Sequence, residues 1–178
     1  MVNMKTKKSE IKNIVLAALF LSIGFLLPML TNQVKEIGDS LLPMHLPVLL
    51  CGLICGWKYG AMVGLLLPFL RGAVFSMPPL YPNAVWMAAE LATYGLTIGL
   101  IYSKVNRKNL FSVYFSLIPA MLCGRVVWGI TKAVLLGVGD KAFTFSMFIA
   151  GGFIDALPGI ALQLILIPAI MQILNKQK

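Results

Sequence analysis

Hydrophobic residues in this chain form long runs, which polar, proline-rich or glycine-rich segments separate. Most of the runs approach or exceed the about 20 apolar residues that a helix needs to cross the hydrocarbon core of a bilayer. The pattern therefore predicts an all-α membrane protein with six transmembrane helices. The predicted spans are 12–30, 44–56, 60–74, 83–103, 113–138 and 148–174.

The second and third predicted spans are the shortest, and a tight turn at 56–60 joins them. Pro43, Pro47 and Pro68 would interrupt or kink these helices, which a membrane protein tolerates where neighbouring helices cover the exposed backbone. Two tilted or partly shielded helices are the main interpretation, and a re-entrant hairpin is the alternative.

The composition agrees with a lipid environment. Of the 178 residues, 59% are hydrophobic and 12% are charged, and the mean hydropathy is +0.88. Soluble domains are about 25% charged, so this chain has too few charges to cover a water-facing surface. A cytosolic enzyme, a secreted disulfide-rich domain and a disordered segment are therefore excluded. Three cysteines and a single histidine are also too few for a disulfide framework or a zinc site.

The net charge of +9 is interpreted as a topology signal, so no nucleic-acid partner is expected. With the N-terminus taken as inside, ten Lys and Arg residues fall on the inner side and three on the outer side. This split predicts cytoplasmic termini. The first apolar run is too long for a cleaved signal peptide, so it is interpreted as a retained first span.

One domain is predicted, 1–178, with a basic N-terminus 1–11, a six-helix bundle 12–174 and a tail 175–178. The three outer cations are Lys35, Arg71 and Lys141.

The predicted outer loops are more elaborate than the inner ones. Loop 31–43 is long for a connection between helices, and loop 71–82 carries three prolines and two aromatic residues. Because proline restricts the backbone, loop 71–82 should be ordered, and Tyr81 within it is a candidate binding residue. An elaborate outer face beside plain inner loops suggests capture of a molecule from outside.

Ionisable residues within membrane spans are costly, and they usually face a cavity or one another. In this chain the four ionisable residues that lie well within the spans all fall in the outer half of the predicted bundle. Two further ionisable residues, His45 and Arg71, lie at the outer ends of their helices. The set is His45, Arg71, Glu90, Arg125, Lys132 and Asp155. On two helix faces the charges recur with aromatic rings: Asn83, Trp86, Glu90 and Tyr94 on one, and Arg125, Trp128 and Lys132 on the other. Rings that stack and polar groups that orient a ligand are what a pocket for a small polar ring or a hydroxylated acid needs.

Other interpretations of these residues remain open. Glu90 and Asp155 could simply pair with Arg125 and Lys132 in a packed core, and such pairs could also preorganise a site. The chain has no G-x-x-x-x-G-K-[ST] phosphate loop and no H-E-x-x-H zinc motif. Ligand binding is therefore better supported than catalysis, and neither a cofactor nor a metal is expected in this chain.

The first predicted span contains small residues at helical spacing. Ala18 and Ser22 lie four residues apart, which lets another helix approach closely, and Ala17 lies beside them. Contact with a partner membrane subunit and packing within the bundle are both compatible with this pattern.

The ordered motifs of the chain resemble those of the substrate-binding S component of an energy-coupling factor (ECF) vitamin transporter, over nearly the whole length. Trp57 departs from the proline that this family has in the turn. The matching motifs are Met44-His45-Leu46-Pro47-Val48, Pro78-Pro79-Leu80-Tyr81-Pro82, Glu90-Leu91-Ala92-Thr93-Tyr94-Gly95, Cys123-Gly124-Arg125 and Leu157-Pro158-Gly159 with Gln163.

The resemblance implies a six-helix, multi-pass protein of a bacterial plasma membrane that binds one vitamin near its outer face. It also implies docking on a transmembrane coupling subunit that carries two ATPase subunits, so that ATP is used by the partners. Ala17, Ala18 and Ser22 match the docking surface of the family.

The substrate class is less sharply indicated than the family. A pyridoxine-like or hydroxymethylpyrimidine-like ring is favoured, because two acids would be costly near a lone ligand carboxylate. Pantothenate comes next, because Arg71, Arg125 and Lys132 favour an anion. The alternatives to a transporter component are an intramembrane enzyme and a membrane scaffold without a ligand.

Overall fold

The computed structural model describes residues 4–31, 41–105, 109–138 and 143–176, and within these ranges the chain is helical and has no strand. The described part contains seven α-helices and two wide helical turns, at Leu80–Ala84 and Ala150–Ile154. The predicted all-α class is thus confirmed. The helices are α1 Met4–Thr31, α2 His45–Cys55, α3 Trp57–Phe75, α4 Val85–Lys104, α5 Leu110–Val138, α6 Phe145–Ile149 and α7 Leu157–Lys176.

In the described ranges, five helical stretches are long and apolar enough to cross a membrane. Helix α2 has only 11 residues, which at about 1.5 Å per residue span about half of a 30 Å hydrocarbon core. Six crossings and cytoplasmic termini therefore stay predictions. The five stretches are Ser9–Met29, Trp57–Phe75, Leu80–Lys104, Leu110–Gly137 and Leu157–Asn175.

Several helix boundaries differ from the predicted ones. Helix α1 already begins at Met4, so most of the predicted basic N-terminus is helical. The turn predicted at 56–60 shrinks to Gly56, whose φ of 95° lies in the left-handed region that glycine adopts without strain. Most of the predicted loop 31–43 lies outside the described residues, as do the outer cations Lys35 and Lys141.

The predicted sixth span, 148–174, is interrupted in the structure. A wide turn ends at Ile154, Asp155 and Ala156 form a turn, and α7 begins at Leu157. Pro158 has no amide hydrogen, so it cannot continue a helix from the preceding turn but is well tolerated in the first turn of a new helix. Asp155 therefore lies at a helix break and not within a span.

Helix α4 forms the centre of the bundle and packs against α2, α3 and α5. The contact between α3 and α4 is a backbone contact at Gly60, Gly64 and Gly95. A methyl group on Gly64 would overlap the backbone of Leu91, and one on Gly95 would overlap the backbone of Gly60. This close approach brings the first turns of α4 next to the last turns of α3, where polar residues of both helices meet.

Candidate functional site

A cavity of about 460 Å³ lies where α2 and α4 begin and where α1 and α3 approach their ends. We call it the polar cavity. Its volume lies within the about 300–1,000 Å³ that is typical of small-molecule sites. Among the described residues, eight of the eleven predicted substrate-binding residues line it. They are His45, Arg71, Asn83, Trp86, Glu90, Arg125, Trp128 and Lys132.

The Glu90 carboxylate is the centre of the polar contacts in this cavity. Its Oε1 atom lies 2.9 Å from Nη1 of Arg125 and 3.4 Å from Nε2 of His45. It also accepts a 3.2 Å hydrogen bond from the hydroxyl of Tyr94, one helical turn further along α4. Glu90 is only 2% exposed, so these contacts hold a buried negative charge between α2, α4 and α5.

Arg71 connects α3 to α1 at the side of the cavity. Its Nη1 donates a 2.7 Å hydrogen bond to the backbone carbonyl of Phe25. Its guanidinium carbon also lies 5.4 Å from the centre of the Phe75 ring, within range of a cation–π contact. Pro28 lacks the amide hydrogen that would bond the carbonyl of Gly24, so Arg71 reaches α1 beside a gap in its hydrogen-bond ladder. The positive charge of Arg71 thus has neutral partners in these contacts.

Lys132 is surrounded by aromatic rings. Its Nζ lies 4.6 Å from the ring centre of Trp128 and 5.4 Å from the ring centres of both Trp86 and Phe143. The ammonium group is attracted by the negative faces of such rings. Neither of the two ion pairs within the described ranges involves Lys132. Pairing of Lys132 with an acid was one of the open alternatives; in the part described, Lys132 instead lies in an aromatic box formed by Trp86, Trp128 and Phe143.

Several buried nitrogen atoms of the cavity residues have no hydrogen-bond partner in the described chain. Native structures leave few buried polar groups unpaired, so a cluster of them indicates that hydrogen-bond partners are missing. A buried nitrogen of Gln163, which does not line the cavity, is also unpartnered. The cavity atoms are Nδ1 and Nε2 of His45, Nε of Arg71, and Nε and Nη2 of Arg125.

Three predicted binding residues do not line the cavity. Tyr81 has an extended backbone and is 65% exposed. Tyr94 lies beneath Glu90, where its ring packs edge-on to His45 at 5.2 Å between centres. Asp155 is exposed at the break before α7. Of the acid–base pairings that the sequence left open, Glu90 with Arg125 is present, whereas no ion pair of Asp155 occurs among the described residues.

The prediction missed the apolar part of the cavity wall. These residues carry no charge, so in sequence they look like any lipid-facing or core position. The predicted outer loops 31–43 and 71–82 and the motif that begins at Met44 pointed to some of them. The missed residues are Pro28, Leu42, Pro43, Met44, Met77, Pro78, Pro79, Met87 and Gly151.

The predicted partner-contact residues divide between two faces of α1. Ala18 and Ser22 are exposed, and the Ser22 hydroxyl donates a 2.9 Å hydrogen bond to the carbonyl of Ala18. Ala17 is in the core, only 8% exposed. The reason is the phase of the helix: Ala17, Phe20 and Gly24 follow i, i+3 and i+7 and form the buried stripe of α1.

A second cavity, of about 950 Å³, lies at the opposite end of the bundle. Lys12 is the one charged residue among the described residues that line it, and none of the unpartnered buried atoms belongs to them. No group of three or more metal-ligating residues occurs in the described ranges. The lining is Ser9, Lys12, Asn13, Leu16, Phe20, Gly52, Leu53, Ile54, Cys55, Gly56, Gly99, Tyr102, Ser103, Met171, Leu174 and Asn175.

Comparison with protein families matches residues 12–171 to the substrate-specific component of ECF transporters. The matched range covers nearly the whole chain and includes every residue of the polar cavity. Neither curated proteins nor solved structures give a match to this chain.

Proposed function

The chain belongs to the family of ECF transporter substrate-specific components, and we propose that it binds one small, water-soluble vitamin or vitamin precursor in the polar cavity. The proposal assigns substrate binding to this chain and ATP hydrolysis to partner subunits. The chain itself needs no cofactor for this role.

The observation that carries the proposal is the chemistry of the cavity wall. A buried carboxylate, two buried guanidinium groups and two tryptophan rings converge on one cavity of ligand size. Burying such charges costs free energy that packing alone does not require. A ligand that uses these groups for orientation accounts for their convergence at one end of the bundle.

The proposed partners are a transmembrane coupling subunit with its two ATPase subunits. In this proposal the chain sits in the plasma membrane with six crossings, α2 being the short one, and with both termini in the cytoplasm. The polar cavity then opens towards the outside. Ala18 and Ser22, which are small and exposed on α1, are the proposed contact residues for a helix of the coupling subunit.

The test uses one substitution at each of the two cavities. Asn83 lines the polar cavity and Asn13 lines the second cavity, and both are half-buried. The purified chain is analysed by native mass spectrometry for retained small molecules and by calorimetry with a panel of vitamins, without ATP. We expect binding by the natural chain, loss of binding in Asn83→Trp because the indole fills the cavity, and unchanged binding in Asn13→Trp.

Three results would contradict the proposal. If Asn13→Trp abolishes binding and Asn83→Trp does not, the ligand occupies the second cavity. If the folded natural chain neither retains nor binds any small molecule, the scaffold alternative is favoured. Chemical conversion of the retained molecule by the isolated chain would instead favour the enzyme alternative.

A further inference from the structure

We propose that the molecule bound in the polar cavity is a small organic anion, with a carboxylate or phosphate group on a partly apolar body. This inference rests on the proposed function, because it concerns the charge of the same ligand. It reverses the order that the sequence favoured, in which a pyridoxine-like or hydroxymethylpyrimidine-like ring came before the anion pantothenate.

The described wall of the polar cavity carries more positive than negative charge. Arg71, Arg125 and Lys132 are its three cations, and Glu90 is its one carboxylate among the described residues. The preference for a pyridoxine-like or hydroxymethylpyrimidine-like ring rested on two acids in the pocket. Because Asp155 is exposed at a helix break instead, that reason no longer applies.

The remaining acid is already engaged. The contacts of Glu90 with Arg125, His45 and Tyr94 all end on its Oε1 atom. A carboxylate held in this way neutralises one guanidinium and orients the side chains around it. Among the described residues, the other two cations of the wall therefore have no acidic side chain in an ion pair with them.

The other two cations have neutral partners within the described chain. Arg71 donates to the Phe25 carbonyl, and Lys132 lies among the rings of three aromatic residues. Carbonyl and ring contacts orient a cation but do not cancel its charge. An uncompensated charge in a low-dielectric environment is unfavourable, and an anionic ligand removes this cost when it binds.

The hydrogen-bond inventory agrees with this charge balance. Buried guanidinium nitrogen atoms of Arg71 and Arg125 have no acceptor in the described chain. Guanidinium groups bind carboxylate and phosphate oxygens through paired hydrogen bonds, and the oxygens of an acid supply several acceptors at once. An uncharged ring offers fewer acceptors and no charge.

The rest of the cavity wall is apolar or aromatic, so it fits a ligand that has an organic, partly apolar part besides its acidic group. Trp86 and Trp128 present aromatic surface, and Met44, Met77 and Met87 add flexible apolar surface. A bare inorganic ion would leave this surface and most of the cavity unused. The wall therefore fits a molecule with an acidic end and an apolar or weakly polar remainder.

The experiment compares matched probes that differ in the acidic group. Calorimetry on the purified chain uses nicotinate with nicotinamide, pantothenate with pantothenol, and pyridoxal phosphate with pyridoxal. Native mass spectrometry identifies any molecule that the chain retains from the cell. We expect the retained molecule to be an anion, and in at least one pair we expect the anion to bind more than tenfold more tightly than its neutral counterpart.

Substitution of one cation tests whether the preference comes from the polar cavity. In Lys132→Gln the preference for the anion should fall at least tenfold, while the melting temperature shows whether the fold is kept. Lys58→Gln is the matched control, because Lys58 also lies over a tryptophan ring, at 5.6 Å from Trp57, but outside the cavity. The Lys58→Gln variant should prefer the anionic probe as strongly as the natural chain does.

The outcomes separate the two proposals. Tight binding of a neutral probe in the polar cavity, with equal or weaker binding of its anionic counterpart, overturns this inference and leaves the proposed function intact. A preference that survives Lys132→Gln and Arg71→Gln alike also overturns it. Absence of any bound molecule in the folded chain contradicts both proposals.

Discussion

The two cavities of this bundle differ in a way that their sizes do not indicate. The second cavity is about 950 Å³ and the polar cavity about 460 Å³. In the described chain, the larger has Lys12 as its one charged wall residue and no unpartnered buried polar atom, whereas the smaller has four charged residues and five such atoms. The chemistry of the wall, and not the volume, distinguishes the candidate binding site.

The difference also concerns how each end of the bundle is held together. At the polar cavity, α1 and α3 are joined through Arg71, and α2, α4 and α5 through Glu90. At the second cavity the wall is built mainly from apolar side chains and glycine. Substitutions at the polar end should therefore change stability and binding together, whereas those at the other end should leave binding unchanged.

The largest effect is expected from Glu90→Ala. It leaves Arg125 buried without its counter-charge, and removal of one partner from a buried ion pair costs about 3–5 kcal/mol. Thermal unfolding in detergent measures the loss, and ligand binding should be abolished. Glu10→Ala removes an exposed acid near the other end of α1 and should leave both properties unchanged. A Glu90→Ala variant as stable as the Glu10→Ala variant would show that the pair does not hold this end together.

A smaller effect is expected from Tyr94→Phe, which removes the hydroxyl that donates to Glu90 over 3.2 Å. Loss of a hydrogen bond to a charged group costs about 1.5–3 kcal/mol, and the long distance places this one at the lower end. Tyr114→Phe is the matched control, because that hydroxyl donates over the same 3.2 Å to the neutral carbonyl of Leu164. Only Tyr94→Phe should also weaken ligand binding; equal binding losses in both variants would contradict a specific role of the Glu90 contacts.

The smallest effect is expected from Lys12→Gln, which removes the charge from the described wall of the second cavity. Lys12 is exposed, and surface substitutions usually change stability by less than about 0.5 kcal/mol. Calorimetry should give a dissociation constant within about twofold of that of the natural chain. A larger loss of affinity would mean that the second cavity takes part in binding and would break the contrast between the two ends.

The sequence alone assigns residues to the polar cavity where a charged residue lies in an apolar helix and aromatic residues follow it or precede it at helical spacing. Glu90 and Arg125 are ionisable residues in apolar helices, and the cost of burying them makes such positions informative. Trp86 and Trp128 followed from their spacing to these charges. The all-α class followed from the length of the apolar runs.

The sequence misplaced residues in two situations. In one, the backbone departs from a continuous helix; in the other, the rotational phase of the helix determines which of two neighbouring residues faces inward. Asp155 was placed in a span because the apolar run continues across the break before Pro158. Ala17 and Ala18 are neighbours of equal chemistry, and only the packed bundle shows which of them faces inward. The aromatic box around Lys132 includes Phe143, which comes from a different segment of the chain, so no local spacing could predict it.

The hydrogen bond from Arg71 to Phe25 couples the position of α1 to the affinity of the polar cavity for its ligand. Displacement of α1 along α3 would remove the acceptor from a guanidinium that lines the polar cavity. By linkage, a ligand that binds Arg71 more strongly in one position of α1 favours that position by the same free energy. A protein that contacts the exposed face of α1, where Ala18 and Ser22 lie, would then alter ligand affinity without entering the cavity.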